Sequence, residues 1–138
     1  MAVERLKLQR VRFMPPTLEV GVLYVSEEFE VAGHLCACGC GSKVMLPLGA
    51  TDWSFEDTPK GPTLWPSIGS WQLPCQSHYW IVAGQVRWSG KWTAAQIERG
   101  LHADEERRIA YFEERQRSRG ARRQLWRWFL ALVRRIFG

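Results

Sequence analysis

The chain has 138 residues, 46% hydrophobic and 24% charged, which suits one domain of ordinary size and excludes a disordered tail. No run approaches the roughly 20 uncharged apolar residues of a membrane span. The net charge of +5 is uneven: residues 1–100 carry nine Lys and Arg against nine Asp and Glu, and 101–138 carry ten Arg against five acids. Polyanion binding would belong to the tail, and nucleic acid is not an expected partner.

Leu6 to Phe13 alternates, with a change of phase, and predicts a strand that Pro15-Pro16 interrupts. Thr17–Val25 (TLEVGVLYV), Phe29–Leu35 and Lys43–Leu48 predict three more. Asp52–Glu56 and Pro62–Trp65 flank Lys60-Gly61 as a hairpin, and Ser77–Val82 and Gln85–Trp88 flank Ala83-Gly84 as another. The period then changes. Thr93 caps a helix from Ala94 to about Arg99 that Gly100 breaks, and a second helix runs from Asp104 to about Arg119, stopped by Gly120. Leu125, Trp128, Phe129, Leu132, Val133 and Ile136 then form an apolar stripe, with Arg123, Arg127, Arg134 and Arg135 mostly off it. The expected fold is mainly β (α+β): a compact antiparallel β domain stapled by a zinc site over residues 1–92, followed by C-terminal helices in a basic extension over 93–138. That extension is read as a helix for its own β body or a second copy, for a partner groove, or for a membrane surface.

The N-terminus lacks the apolar region of a signal peptide, so a cytoplasmic, reducing location is expected. There four Cys read first as metal ligands. His34-Leu35-Cys36-Ala37-Cys38-Gly39-Cys40-Gly41 and Cys75-Gln76-Ser77-His78 together offer six candidate ligands. Zinc takes four of them in a tetrahedron, and the glycines let close thiolates converge. Cys36, Cys38, Cys40 and Cys75 are the favoured set, with His78 able to replace one of a tight CxCxC trio. The competing readings are small buried core thiols and a Cys40–Cys75 disulfide.

Two serines lie near these histidines. A serine becomes a nucleophile when a neutral imidazole takes its proton. Ser77 and His78 point to opposite faces of a strand, so Ser67, in a Pro-Ser-Ile-Gly turn, pairs better with His78 across strands. His34 is the reserve base, and Asp52 is the candidate third member. A turn-capping Ser67 and a core His78 are the plain alternative. With no HExxH and a closed thiolate shell, a zinc hydrolase is disfavoured.

HLCACGCG, PLGATDW and LWPSIGSWQLPCQSHYWIVAGQVRW together resemble a small bacterial family sharing an HxCxCGCG run, a PSIG turn and a CxSHYxI strand. Its genes neighbour E1-like, E2-like and ubiquitin-like genes in phage-defence operons. The resemblance covers about residues 30–90 and singles out His34, Cys36, Cys38, Cys40, Ser67, Cys75, Ser77 and His78. It implies a bacterial ubiquitin-like protein and its conjugates as partners, with E1-like and E2-like enzymes beside them. It also implies a peptidase that matures or removes the modifier, serine-type with structural zinc. The alternative is a non-enzymatic zinc-binding adaptor of the same pathway.

Overall fold

The computed structural model describes residues 1–138 and divides into two compact units, Met1–Ala94 and Ala95–Gly138. The first holds eight strands: β1 (Lys7–Arg10), β2 (Val22–Ser26), β3 (Val31–Leu35), β4 (Lys43–Pro47), β5 (Ser54–Thr58), β6 (Gly61–Gly69), β7 (His78–Val82) and β8 (Gln85–Trp88). They form two four-stranded sheets in chain order, β1 to β4 and β5 to β8. One apolar cluster joins residues of both sheets, including Leu23, Val25, Ala32 and Leu46 from the first and Leu64, Ile68, Tyr79 and Ile81 from the second. The architecture is therefore mainly β, two sheets face to face over one core.

Five of the six neighbouring pairs are antiparallel, as expected, but β1 and β2 run parallel. Pro15 and Pro16 remove two backbone donors from the intervening segment, so it crosses over rather than folding back as a hairpin. The predicted strand over Thr17–Val25 shrinks to Val22–Ser26, because Gly21 takes a left-handed φ of 79° and turns the chain just ahead of it. The β7–β8 hairpin closes through Ala83 (φ 48°) and Gly84 (φ 79°), the two left-handed residues that match the twist of a two-residue loop. Before β1 begins, the N-terminal segment pairs with the rim of the second sheet. Leu6 N–H donates to Gly84 O at 2.7 Å and Val86 N–H to Glu4 O at 2.8 Å. One stretch of chain thus belongs to both sheets and covers part of the β8 edge.

The second unit is the single helix α1 (Ala94–Phe137), where two broken helices and a separate stripe were expected. Gly100 and Gly120 lie inside it. An interior glycine costs only about 1 kcal/mol against alanine, no proline follows Pro74, and strong helix formers surround both glycines. No residue of α1 is buried, and no helix is long and apolar enough to cross a membrane.

Leu64 is 1% exposed and pairs with Phe55 on one side and Ile81 on the other. Leu64→Ala is expected to lower the unfolding free energy of the β unit by about 2–5 kcal/mol, read from the denaturant midpoint at unchanged slope.

Candidate functional site: a four-thiol cluster beside a Ser–His pair

Cys36 follows β3 directly, and the chain reverses through Cys40. Gly39 N–H donates to Cys36 O at 3.1 Å, and Cys36 N–H to Ser42 O at 2.8 Å. Gly39 has a φ of 89°, and a Cβ there would fall on the Met1 backbone, so this position takes glycine for two reasons. Cys75 arrives from the β6–β7 connection, a tight turn in which Gln76 (φ 44°) bonds back to Leu73 at 3.0 Å.

The four Sγ atoms all lie within 4.8 Å of one another. Cys36–Cys38, Cys36–Cys75 and Cys40–Cys75 are 3.5, 3.8 and 3.9 Å apart. Four sulfurs at about 2.3 Å from one ion stand about 3.8 Å from each other along the tetrahedron's edges, so the donor set fits such a cation. A disulfide needs about 2.05 Å, and all four cysteines are free. The two histidines are not part of this group.

The thiols differ in acidity. Burial pushes Cys36 up to about 12. The Ser42 hydroxyl and N–H bring Cys40 down to about 6. Burial raises Cys75, but the Ser77 hydroxyl and N–H outweigh it and leave the thiol below its ordinary value. Ser77 thus donates into the cysteine cluster, while its neighbour His78 faces the other way.

His78 opens β7 directly opposite Gly69, the last residue of β6. Ser70 N–H donates to Ser77 O at 2.8 Å and Ser89 N–H to His78 O at 2.9 Å, so Gly69 and His78 form a non-hydrogen-bonded pair, the kind that brings side chains closest. Ser67 lies two residues back on the same face, the diagonal neighbour. Its Oγ is 2.8 Å from His78 Nε2.

Because residue 69 lacks a side chain, the Trp71 indole occupies that place; a Cβ there would fall inside the ring. Trp71 and Trp92 stack at 5.3 Å and meet the His78 ring edge-on at 4.9 and 4.7 Å. Burial lowers the pKa of His78, and the Gly90 carbonyl offsets this in part. Nδ1 is buried and has no hydrogen-bond partner. A cleft of about 340 Å³ is lined by His78 together with Cys38, Cys75, Ser77, Trp88 and Gly90, and Ser67 is not among its lining residues.

His34 lies elsewhere, fully buried on β3. Its Nε2 is 2.6 Å from the Tyr79 hydroxyl, which also takes the Ala37 N–H at 3.4 Å. Burial pushes its pKa down to about 4, so the ring is neutral. Asp52 sits in the turn ahead of β5, its N–H on Gly49 O at 3.2 Å. Trp71, Trp92, Gly69, Gly90 and Tyr79 were not singled out from sequence. Only Gly69, in the PSIG turn, and Tyr79, in the CxSHYxI strand, carried a local signal.

A family model described as "Bacterial ubiquitination-like system serine protease (BubE)" matches residues 10–89, and the chain belongs to that family. No curated protein and no solved structure matches it.

Gly69→Ala forces Trp71 off the His78 ring. The near-ultraviolet circular dichroism of the Trp71–Trp92 stack is expected to collapse while the far-ultraviolet β signal persists. An unchanged aromatic signal would show that residue 69 does not hold Trp71.

Proposed function

We propose that the chain is a serine peptidase that cuts after the C-terminal residue of a bacterial ubiquitin-like protein, maturing it or removing it from conjugates. The 2.8 Å contact between Ser67 Oγ and His78 Nε2, in a chain of this serine-protease family, is the observation that carries the reading. Ser67 is the nucleophile and His78 the base. His34, neutral and engaged with Tyr79, sits beneath the cysteine turn as a buried support.

His78 Nε2 takes the Ser67 hydroxyl proton as Oγ attacks the scissile carbonyl. The C=O π pair moves to oxygen. The imidazolium returns the proton to the leaving amine as the C–N bond breaks, giving an acyl-enzyme and a free amine. Water then attacks the ester with His78 again as base, and Ser67 leaves with the proton. Imidazolium formation is favoured by the Gly90 carbonyl dipole, in a site without an assigned carboxylate.

The oxyanion needs an N–H that the fold has not spent. Ser70 N–H is committed to Ser77 O. Strand alternation turns Gly69 N–H to the opposite side of β6, where β5 pairs only as far as Trp65. Pro66–Gly69 therefore offers an edge at which an extended tail can add as a strand beside Ser67.

The cysteine set suits zinc, with Cys36, Cys38, Cys40 and Cys75 as ligands. A four-thiolate shell is closed, so the ion supplies cross-linking rather than an activated water. It ties the turn after β3 to the residue three places before His78. E1-like and E2-like enzymes are the expected neighbours in the pathway, in the cytoplasm, and phage defence is the process it serves.

Ser67→Ala or His78→Ala is expected to cut the cleavage rate of a modifier–peptide fusion by about 10³-fold or more, with circular dichroism unchanged. Cleavage at the wild-type rate by either variant would sink the assignment. Retained modifier binding without turnover in the wild type would instead leave an adaptor. Because burial lowers the His78 pKa, the base stays neutral below the ordinary 6.5. The acid limb of kcat/KM should fall below that pH, and a limb above it would remove His78 as the base.

Native mass spectrometry should find one zinc per chain. Prolonged chelation should lower Tm and then activity, while a serine-directed probe still labels Ser67 after brief chelation. Instant loss of labelling on chelation would point to metal chemistry instead.

A further inference from the structure

The continuity of α1 changes the meaning of its last turns. Residues 122–137 are one uninterrupted helix of about 24 Å, at 1.5 Å per residue. Successive side chains step by about 100°, so Arg123, Arg127, Arg134 and Arg135 fall together on an arc of about 120°. Leu125, Trp128, Phe129, Leu132, Val133 and Ile136 span about 140° of the remaining side, and Trp126, Leu130 and Phe137 widen the apolar arc to about 200°, with Arg122 at its N-terminal end as the one charge inside it. Arg122 adds a fifth positive charge, and no acidic residue follows Glu114. Leu125, Trp126, Trp128 and Ile136 are 61–67% exposed.

We infer that residues 122–137 bind the surface of an anionic lipid bilayer, lying in the interface plane with the apolar arc toward the acyl chains and the arginines among the headgroups. Charge decides between this occupant and a protein groove. Five arginines with no acid in 16 residues call for a continuous sheet of negative charge. A coiled-coil partner needs only a narrow apolar seam, whereas half the circumference here is apolar. Trp128 borders the arginine side, where an amphipathic indole meets both headgroup and acyl chain. The segment is too short and too charged to span. One such interfacial helix by itself gives reversible attachment.

The full chain should co-sediment with vesicles of equal phosphatidylcholine and phosphatidylglycerol, remain in the supernatant with pure phosphatidylcholine, and release as salt rises. Replacing three arginines (Arg127→Gln, Arg134→Gln, Arg135→Gln) should weaken partitioning about a hundredfold. Phe129→Gln with Leu132→Gln keeps every charge and should weaken it at least about tenfold. All these positions are solvent-facing, and cleavage of the modifier fusion reports that the β unit is intact in each variant. The inference falls if the full chain ignores the anionic vesicles. It falls equally if the Phe129/Leu132 variant binds as well as the wild type, which would be adhesion to any polyanion. A lipid-indifferent dimer by sedimentation would assign the face to a second copy.

Discussion

The approach of Cys75 to the turn after β3 is the constraint on which the site depends. Cys36, Cys38 and Cys40 sit at the end of the first sheet, and Cys75 sits in the loop joining β6 to β7 of the second. Their sulfurs converge to 3.5–3.9 Å. Loops of this kind are ordinarily the softest part of a β sandwich. Here the loop delivers both the strand that begins with His78 and the indole of Trp71. In the proposed reading, an ion held by the four thiols would pin the middle of this loop and limit drift of the Ser67–His78 distance.

The same geometry divides the polar work between two faces. Ser77 and His78 are adjacent in sequence but point oppositely, so one hydroxyl lowers the pKa of the Cys75 thiol while the next side chain faces Ser67. His34 and Tyr79 complete a second buried pair under the cysteine turn. In both pairs burial keeps imidazole neutral, but only His78 opens onto a cleft. His34 is closed off by the core, so of the two imidazoles only His78 would be within reach of a substrate in the proposed reaction.

Much of this was legible because strands have a period of two. That rule alone rejects Ser77 as a partner for His78 and favours a serine on the adjacent strand. The thiols were legible from residue type and compartment. Other features had no local signature. Nothing in Trp71 or Trp92 marks them as neighbours of His78, because their contacts follow from the missing side chain at Gly69 and from a chain that returns past β8. The parallel β1–β2 pair was hidden because its register is set by a crossover rather than a turn. Gly100 and Gly120 read as helix breaks although each costs less than the surrounding residues return, so the basic tail looked like three pieces instead of one rod.

The placement of Ser67 on a strand also bears on what the proposed site would accept. Ser67 lies on β6 beyond Trp65, where pairing with β5 ends, so in the proposed reading the ligand would be an extended backbone. Main-chain pairing gives affinity without regard to sequence. Beside this edge the two indoles pack against the His78 ring. In the proposed reading, the flexible tail of a ubiquitin-like protein would supply that extended backbone, and its globular part need not approach Ser67. The ordering entropy of that tail is the main cost of recognition, and the strand edge is the element of the fold best placed to offset it.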